Sequence, residues 1–364
     1  MILLGFKNKI INKVHHLNGH LLIEKYSFGE SYEAEAFPLT DSLSTVLRGF
    51  PNNIKHWQPY AMRYALLKTE DEVQGVIIKG IDQTYDTLNF RNQLIAGRMP
   101  NLTTGKYSLE VVLSKKIANY LSLQVNDKVM VYFVQDPPRF RKLKVVGIYE
   151  TGLEDFDENL ILGDIDLLRR MNGWQPDEIG GIEIIAGPNA RIDELRDEVL
   201  HAISYELMVE VISDKYRQIF DWLKMLNRNV MILMCIILVV AILSMVSIIL
   251  IMIMERTQMV GLLKSMGGKD SFIRKIFFSL GSRLILSGII WGNTAALLLG
   301  FVQNRFKLIP LNPSSYYMNH VPMEFDWPTI VFVNITVITV VLLGIFIPLR
   351  FISKIDPIQS IRFD

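Results

Sequence analysis

Two kinds of hydrophobic patterning divide this chain near residue 228. Before that point apolar residues come in short runs broken by charges and turn formers; after it, three long apolar stretches dominate. Val230–Met254 (VMILMCIILVVAILSMVSIILIMIM) holds no charge over 25 residues. A bilayer core about 30 Å thick is crossed by roughly 20 helical residues, so this run predicts a transmembrane helix with some tilt. A second span is predicted over 284–302, LILSGIIWGNTAALLLGFV. Arg283 stands just before it, and a charge at mid-bilayer costs about 2.5–3.5 kcal/mol, which assigns Arg283 to the interface beside Phe277 and Phe278. Gly288 and Gly292 are spaced as a GxxxG pair, a pattern that lets another helix approach closely, although two glycines also fall at this spacing by chance. The third span runs from Trp327, suited to an interfacial belt, to Leu349.

The first part reads differently. Strand-like runs recur at 73–81, 109–114, 128–134, 142–150, 159–163 and 181–187, with turn signals between them. Helical periodicity interleaves at 115–123, 164–171 and 191–203. The mixture predicts an α+β domain, in two lobes, because one strand set ends near Ile95 and another begins near Ser108. The loop 135-QDPPRFRK-142 joins two strands; it is either a solvated turn or a protruding tip that meets a partner through Pro137, Pro138, Arg139 and Phe140. In 213–229, Tyr216, Ile219, Phe220, Leu223 and Leu226 fall at helical spacing, with Ser213 or Asp214 as the cap, and no glycine or proline interrupts the run into the first span. This predicts either a plain stalk or a continuous rod, about 60 Å long at about 1.5 Å per residue, that carries a push along its axis.

Charge then settles which chemistries remain. Lys and Arg total 38 against 37 Asp and Glu, so no basic stripe points to nucleic acid. The single cysteine, Cys235, lies inside a span, so the α+β domain must be held by its own core. No phosphate-binding loop occurs, because 267-GGKDS-271 and 105-GKYS-108 lack the upstream glycine, and no GxSxG or HExxH motif is present. The histidines of 15-HHLNGH-20 lack a carboxylate or cysteine at ligand spacing, so no metal is expected. Nothing amounts to a catalytic site, and the chain reads as a non-enzyme.

Three spans put the large domain and the C-terminus on opposite sides. Arg256, Lys264, Lys269, Arg274 and Lys275 follow the first span and Arg350, Lys354 and Arg362 the last, against Arg305 and Lys307 in the loop between the other two. That asymmetry favours a cytoplasmic 255–278 segment and tail with the large domain outside; Lys215, Arg217, Lys224 and Arg228 argue weakly the other way. An exported domain needs a signal, yet MILLGFKNKIINKV has no basic n-region or long apolar core. The expectation is that MILLGF ends a further span absent from this sequence.

Residues 255–278 form a polar island between two spans. Met259, Val260, Leu262, Leu263 and Met266 make an apolar stripe beside Arg256, Gln258 and Lys264, and Gly267-Gly268 stops the helix. Alone, this is an amphipathic helix on the membrane surface. The order Glu255, Val260-Gly261-Leu262-Leu263-Lys264, Met266-Gly267, Ile273, Phe277-Phe278 closely resembles the coupling-helix region of ABC transporter permeases of the FtsX/MacB/LolC-LolE superfamily. The resemblance extends to the glycines at 288 and 292, to the tail 355-IDPIQSIRFD-364, and to 96-AGRMP-100 with 109–131 of the outer domain. The LolC/LolE lipoprotein-releasing permeases are the most similar branch.

The resemblance implies an α-helical membrane protein with an α+β extracytoplasmic domain, three transmembrane helices being present where the family has four. It divides the chain into the end of a first span and connector (1–16), a periplasmic MacB-like core domain (17–212), a stalk (213–229), a span (230–254), a coupling region (255–278), a span (279–302), a periplasmic loop (303–326), a span (327–350) and a cytoplasmic tail (351–364). It implies that Glu255, Arg256, Met259, Val260, Gly261, Leu263, Lys264, Met266 and Gly267 dock on a LolD-like ATPase, which itself binds ATP and Mg, so that no cofactor belongs to this chain. It further implies a second permease, identical or paralogous, a lipoprotein substrate sliding past an apolar face such as Val239, Ile242 and Val246, and a bacterial inner-membrane location. By analogy 135–142 sits where the family's hairpin meets a LolA-like carrier, though it is short here. A sibling reading is a MacB/FtsX-like exporter of another hydrophobic compound or a regulator of a cell-wall hydrolase; a third is a receptor or adhesin with unrelated spans.

Overall fold

The computed structural model describes residues 1–26, 35–103, 107–133, 135, 137–312, 316, 318 and 320–350. The tail pattern at 355–364 lies outside the described residues, as does Asp136 of the 135–142 loop. The chain divides into two compact units. One contains 8–220 and 311–319; the other contains 1–7, 221–310 and 320–364.

In chain order the first unit contains α1 (Ile2–Asn18, its first turns counted with the other unit), β1 (Leu21–Lys25), β2 (Phe37–Pro38), α2 (Asp41–Arg48), β3 (Ile54–Lys68), β4 (Val73–Ile81), α3 (Thr87–Arg91), β5 (Leu94–Gly97) and β6 (Glu110–Ser114). It continues with α4 (Lys115–Tyr120), β7 (Lys128–Phe133), β8 (Arg139–Tyr149), α5 (Glu154–Asn159), β9 (Leu160–Asp164) and α6 (Ile165–Asn172). Then come β10 (Glu178–Ile179), β11 (Gly181–Ala186), α7 (Ile192–Ala202), β12 (Leu207–Val211) and α8 (Ile212–Lys215). Short polar side chains start several of these helices by taking otherwise unpaired N–H groups. Thr40 accepts from Leu43 N ahead of α2, Ser114 from Ile117 N ahead of α4, and Asp164 from Asp166 N ahead of α6. Gly173 closes α6 at φ 72°, a left-handed conformation that favours glycine.

One sheet carries the unit, in the order β12-β1-β11-β3-β4-β9-β6-β8-β5, with β7 bridging β3 and β8. The two expected lobes are therefore not separate: the strand set after Ile95 remains hydrogen-bonded to the first. The reason is β3, whose 15 residues far exceed the usual five or six. Tyr60–Lys68 pairs with β4, while Ala65–Lys68 pairs with β7 on the other edge. Ala61, Ala65 and Leu67 of β3 face a core shared with Ile78, Val111, Val131, Val145, Ile161 and Ile182.

A buried polar chain crosses this sheet. Lys79 and Glu183 are wholly buried and 2.5 Å apart. Lys79 also donates to the Leu17 carbonyl at the end of α1, and Gln58 donates to the other Glu183 oxygen at 2.8 Å. Tyr60 donates to Glu24, which also takes Lys215 at 2.8 Å.

The second unit contains α9 (Arg217–Glu255), α10 (Thr257–Ser265), α11 (Asp270–Phe306) and α12 (Trp327–Leu349), with α9 beginning in the α+β unit. Three of these, α9, α11 and α12, are long and apolar enough to cross a membrane. The rod expected from Ser213 or Asp214 is corrected at its start. Ile212–Lys215 is a separate turn, Tyr216 adopts φ −104° and ψ 44°, and α9 starts at Arg217. The Tyr216 ring against Phe156, 5.1 Å between centroids, and the Lys215–Glu24 pair hold that bend. From Arg217 the 39 residues are unbroken, about 58 Å at about 1.5 Å per residue.

Met245, Ile249 and Ile253 of α9 pack with Ile273 and Phe277 of α11 and with Val341, Ile345 and Leu349 of α12. Gly281 permits the approach: a Cβ there would lie 2.9 Å from Ile345 Cδ1 and 3.0 Å from Met245 Cε. Asn293 of α11 and Asn334 of α12 exchange amide hydrogen bonds of 2.7 and 3.2 Å. Gln303 donates to the Val321 carbonyl (3.1 Å) and accepts from Ile309 N (3.1 Å), tying the segment after α11 back onto it.

Candidate coupling helix

A one-residue break follows α9. Thr257 Oγ1 donates to the Met254 carbonyl at 2.7 Å, and Arg256 leaves helical geometry at φ −105° and ψ 20°. α10 then runs nine residues and ends before Gly267, which sits at φ +88° where a side chain would be strained. A Cβ at Gly268 would stand 2.6 Å from the Leu263 carbonyl. Both glycines are thus required by the turn. Lys264 and Asp270 close it with a 3.1 Å ion pair.

The single apolar stripe expected from the sequence is in fact two. Val260, fully buried, and Gly261 turn inward, and Val260 and Leu263 pack with the cluster built from α9, α11 and α12. Met259, Leu262 and Met266 point away, with exposures of 37%, 56% and 77%. These three recur at i, i+3 and i+7, one helical face. Glu255, Arg256 and Gly267 are also exposed, and Lys264 is spent on the turn. The arrangement is a short helix clamped to its own membrane unit, presenting an apolar ridge with two flexible methionines, the shape that fits a groove on another protein.

The other predicted residues lie apart from this ridge along the chain. Pro137, Pro138, Arg139 and Phe140 form the exposed end of the β7–β8 hairpin, where the Phe140 and Tyr132 rings meet at 5.9 Å. Arg139, itself exposed, donates to the carbonyls of Arg170 (3.2 Å) and Met171 (3.0 Å) at the end of α6. It steadies the hairpin, with the prolines and Phe140 beside it at the accessible tip. Among the described residues no atom lies within 4 Å of a Cβ built on Gly288 or Gly292; the span glycines that do admit close neighbours are Gly281, Gly300 and Gly344. Among the described residues no group of three or more His, Cys, Asp or Glu is placed to hold a metal. The His15 and His20 rings instead meet at 4.1 Å between centroids, tilted by 41°.

Sequence reasoning passed over Lys79, Glu183, Asn293 and Asn334. A lysine in an apolar strand and an asparagine at the centre of a span were the available signals, since buried polar groups are costly unless paired.

Comparison with known families agrees with this arrangement. A family model described as the MacB-like periplasmic core domain matches residues 1–202, and one described as the FtsX-like permease C-terminal matches residues 231–357. The chain is 22% identical, over 84% of its length and 77% of the relative's, to the lipoprotein-releasing system transmembrane protein LolC of Neisseria meningitidis serogroup B. It is 20% identical to the LolC of Xylella fastidiosa strain Temecula1, over 100% of this chain and 89% of that protein. Among solved structures, the periplasmic region of MacB from Actinobacillus actinomycetemcomitans matches at 12% identity and a TM-score of 0.39, covering 55% of this chain and 92% of that one.

Proposed function

We propose that this chain, which belongs to the family of FtsX-like permeases with a MacB-like periplasmic core domain, is the membrane subunit of an ABC transporter that releases lipoproteins from the inner membrane. The observation that carries the reading is the orientation of α10. Its inner face, Val260 and Leu263, joins the core cluster that the three apolar helices build together, so a displacement of its outer ridge would reach that shared core. An ATPase chain seated on Met259, Leu262 and Met266 would bind ATP and Mg and do the hydrolysis. The curated relatives named as lipoprotein-releasing proteins support the choice of cargo. A second permease, identical or paralogous, would complete the pair, with the large domain in the periplasm and the hairpin tip meeting a periplasmic carrier.

The test is a pull-down of the full chain from detergent-solubilised membranes, with proteins identified by mass spectrometry, on wild type and Leu262→Asp. Wild type is expected to bring down a stoichiometric ATPase and acylated lipoproteins. Leu262→Asp is expected to lose the ATPase and its stimulation while the chain remains folded, because Leu262 touches water rather than core. Recovery of an ATPase with a cell-wall hydrolase and no lipoprotein would favour the sibling reading. Absence of any ATPase would reject the coupling role.

A further inference from the structure

We propose that a groove on the α+β unit holds one acyl chain of the cargo, an assignment that rests on the lipoprotein-release reading above. On one face of the β3–β4 pair Met62 lies directly opposite Lys79, Tyr64 opposite Ile77, and Leu66 opposite Gly75. The end of α1 covers the first pair, where Lys79 meets the Leu17 carbonyl. Beyond it the face is uncovered, and Tyr64 and Leu66 are each 40% exposed.

What remains is a cavity of about 610 Å³, within the range of small-ligand sites of roughly 300–1,000 Å³. Phe156 and Tyr216, packed ring to ring, wall it, and Asn18 and Asn159 supply neutral amides. Gly75 keeps the floor open: a Cβ there would meet only Leu66 Cδ2, at 3.9 Å.

Charge decides the occupant. Among the described lining residues there is no lysine, arginine or histidine, and Asp155 is the one acidic side chain. A phosphate would bring negative charge to a site with no cation to meet it, which is costly. An uncharged hydrocarbon chain brings no charge that needs a cation and gains from leaving water against the apolar lining. The groove thus suits an acyl chain carried by cargo rather than a phospholipid bound through its headgroup. Asn18 ends α1 and Tyr216 immediately precedes α9, so the site lies within the α+β unit beside those two positions.

The experiment feeds cells a photoreactive, alkyne-tagged palmitate, irradiates them, purifies the full chain and maps the adducts. Adducts of lipoprotein mass on the peptides bearing Tyr64, Leu66 and Ile77 are expected. Gly75→Trp, which fills the open floor, is expected to lose those adducts while retaining its ATPase partner; Tyr64→Ala is expected to weaken them. Lipoprotein adducts confined to α9, α11 and α12 would overturn the groove and leave lipoprotein release standing. Groove adducts of phospholipid mass alone would also overturn it. No lipoprotein adduct anywhere on the chain would instead reject the lipoprotein reading itself.

Discussion

Lys79 illustrates how a single residue can be read only with its neighbours. In 73-VQGVIIKGI-81 it interrupts an apolar strand, and strand logic alone would turn it to solvent. The structure buries it completely because Glu183, the Leu17 carbonyl and the Tyr60 and Tyr85 rings, at 5.8 and 5.6 Å, surround it. Those partners come from β11, α1, β3 and the turn after β4, none adjacent in sequence, so no local pattern announces them. Losing one member of such a pair leaves a buried charge without compensation, at about 3–5 kcal/mol. Lys79→Met is therefore expected to lower the melting temperature of the purified chain sharply. Adding Glu183→Leu should restore much of the loss, since two apolar side chains of similar volume replace the pair. A double variant as unstable as the single one would contradict this account.

At the scale of elements, patterning located the three long helices well, since a 25-residue uncharged run has few alternative fates. It located β4, β6, β7, β9 and β11 within a residue or two and β8 within three, but passed over β1, β12 and β3. IKHWQPYAMRYALLK has Pro59 near its middle and no strict alternation, because different stretches of it pair with β11, β4 and β7. For α10 the stripe was legible but its division was not: which apolar residues face in depends on where α9 and α12 stand. Asn293 and Asn334 show the same limit. Each is an isolated polar residue in a greasy run, and only their meeting makes them a clasp between α11 and α12. In membranes such pairs are worth about 0.6 kcal/mol on average and up to about 1.7. A double-mutant cycle with Asn293→Leu and Asn334→Leu, read by unfolding in mixed detergent, should give a coupling in that range. Strict additivity of the two would mean the amides do not support one another.

Across the whole molecule, the two families matched divide as the hydrophobic pattern does, with the mixed domain before residue 202 and the apolar helices after 231. The same division means that titratable groups of the α+β unit set how the protein answers to acid. His15, in the part of α1 belonging to that unit, is pushed down to about 3 by burial, with His20 and His16 adding repulsion. His20 falls to about 4, again mainly through burial, and its Nδ1 accepts from Ala186 N at 3.3 Å, which requires the unprotonated atom. Both imidazoles bind protons more readily in the unfolded chain, whose histidines titrate near about 6.5. The unfolded state therefore gains protons first as pH falls, and stability drops from about pH 6.5 down to about pH 4. Asp157 and Asp164 act in the opposite sense as pH falls, because burial raises both and favours their protonated forms in the fold. Melting temperature against pH should thus decline between pH 7 and 4 in the wild type, and decline less in His15→Phe/His20→Gln. Equal slopes for the two proteins would show that this histidine pair is not the source.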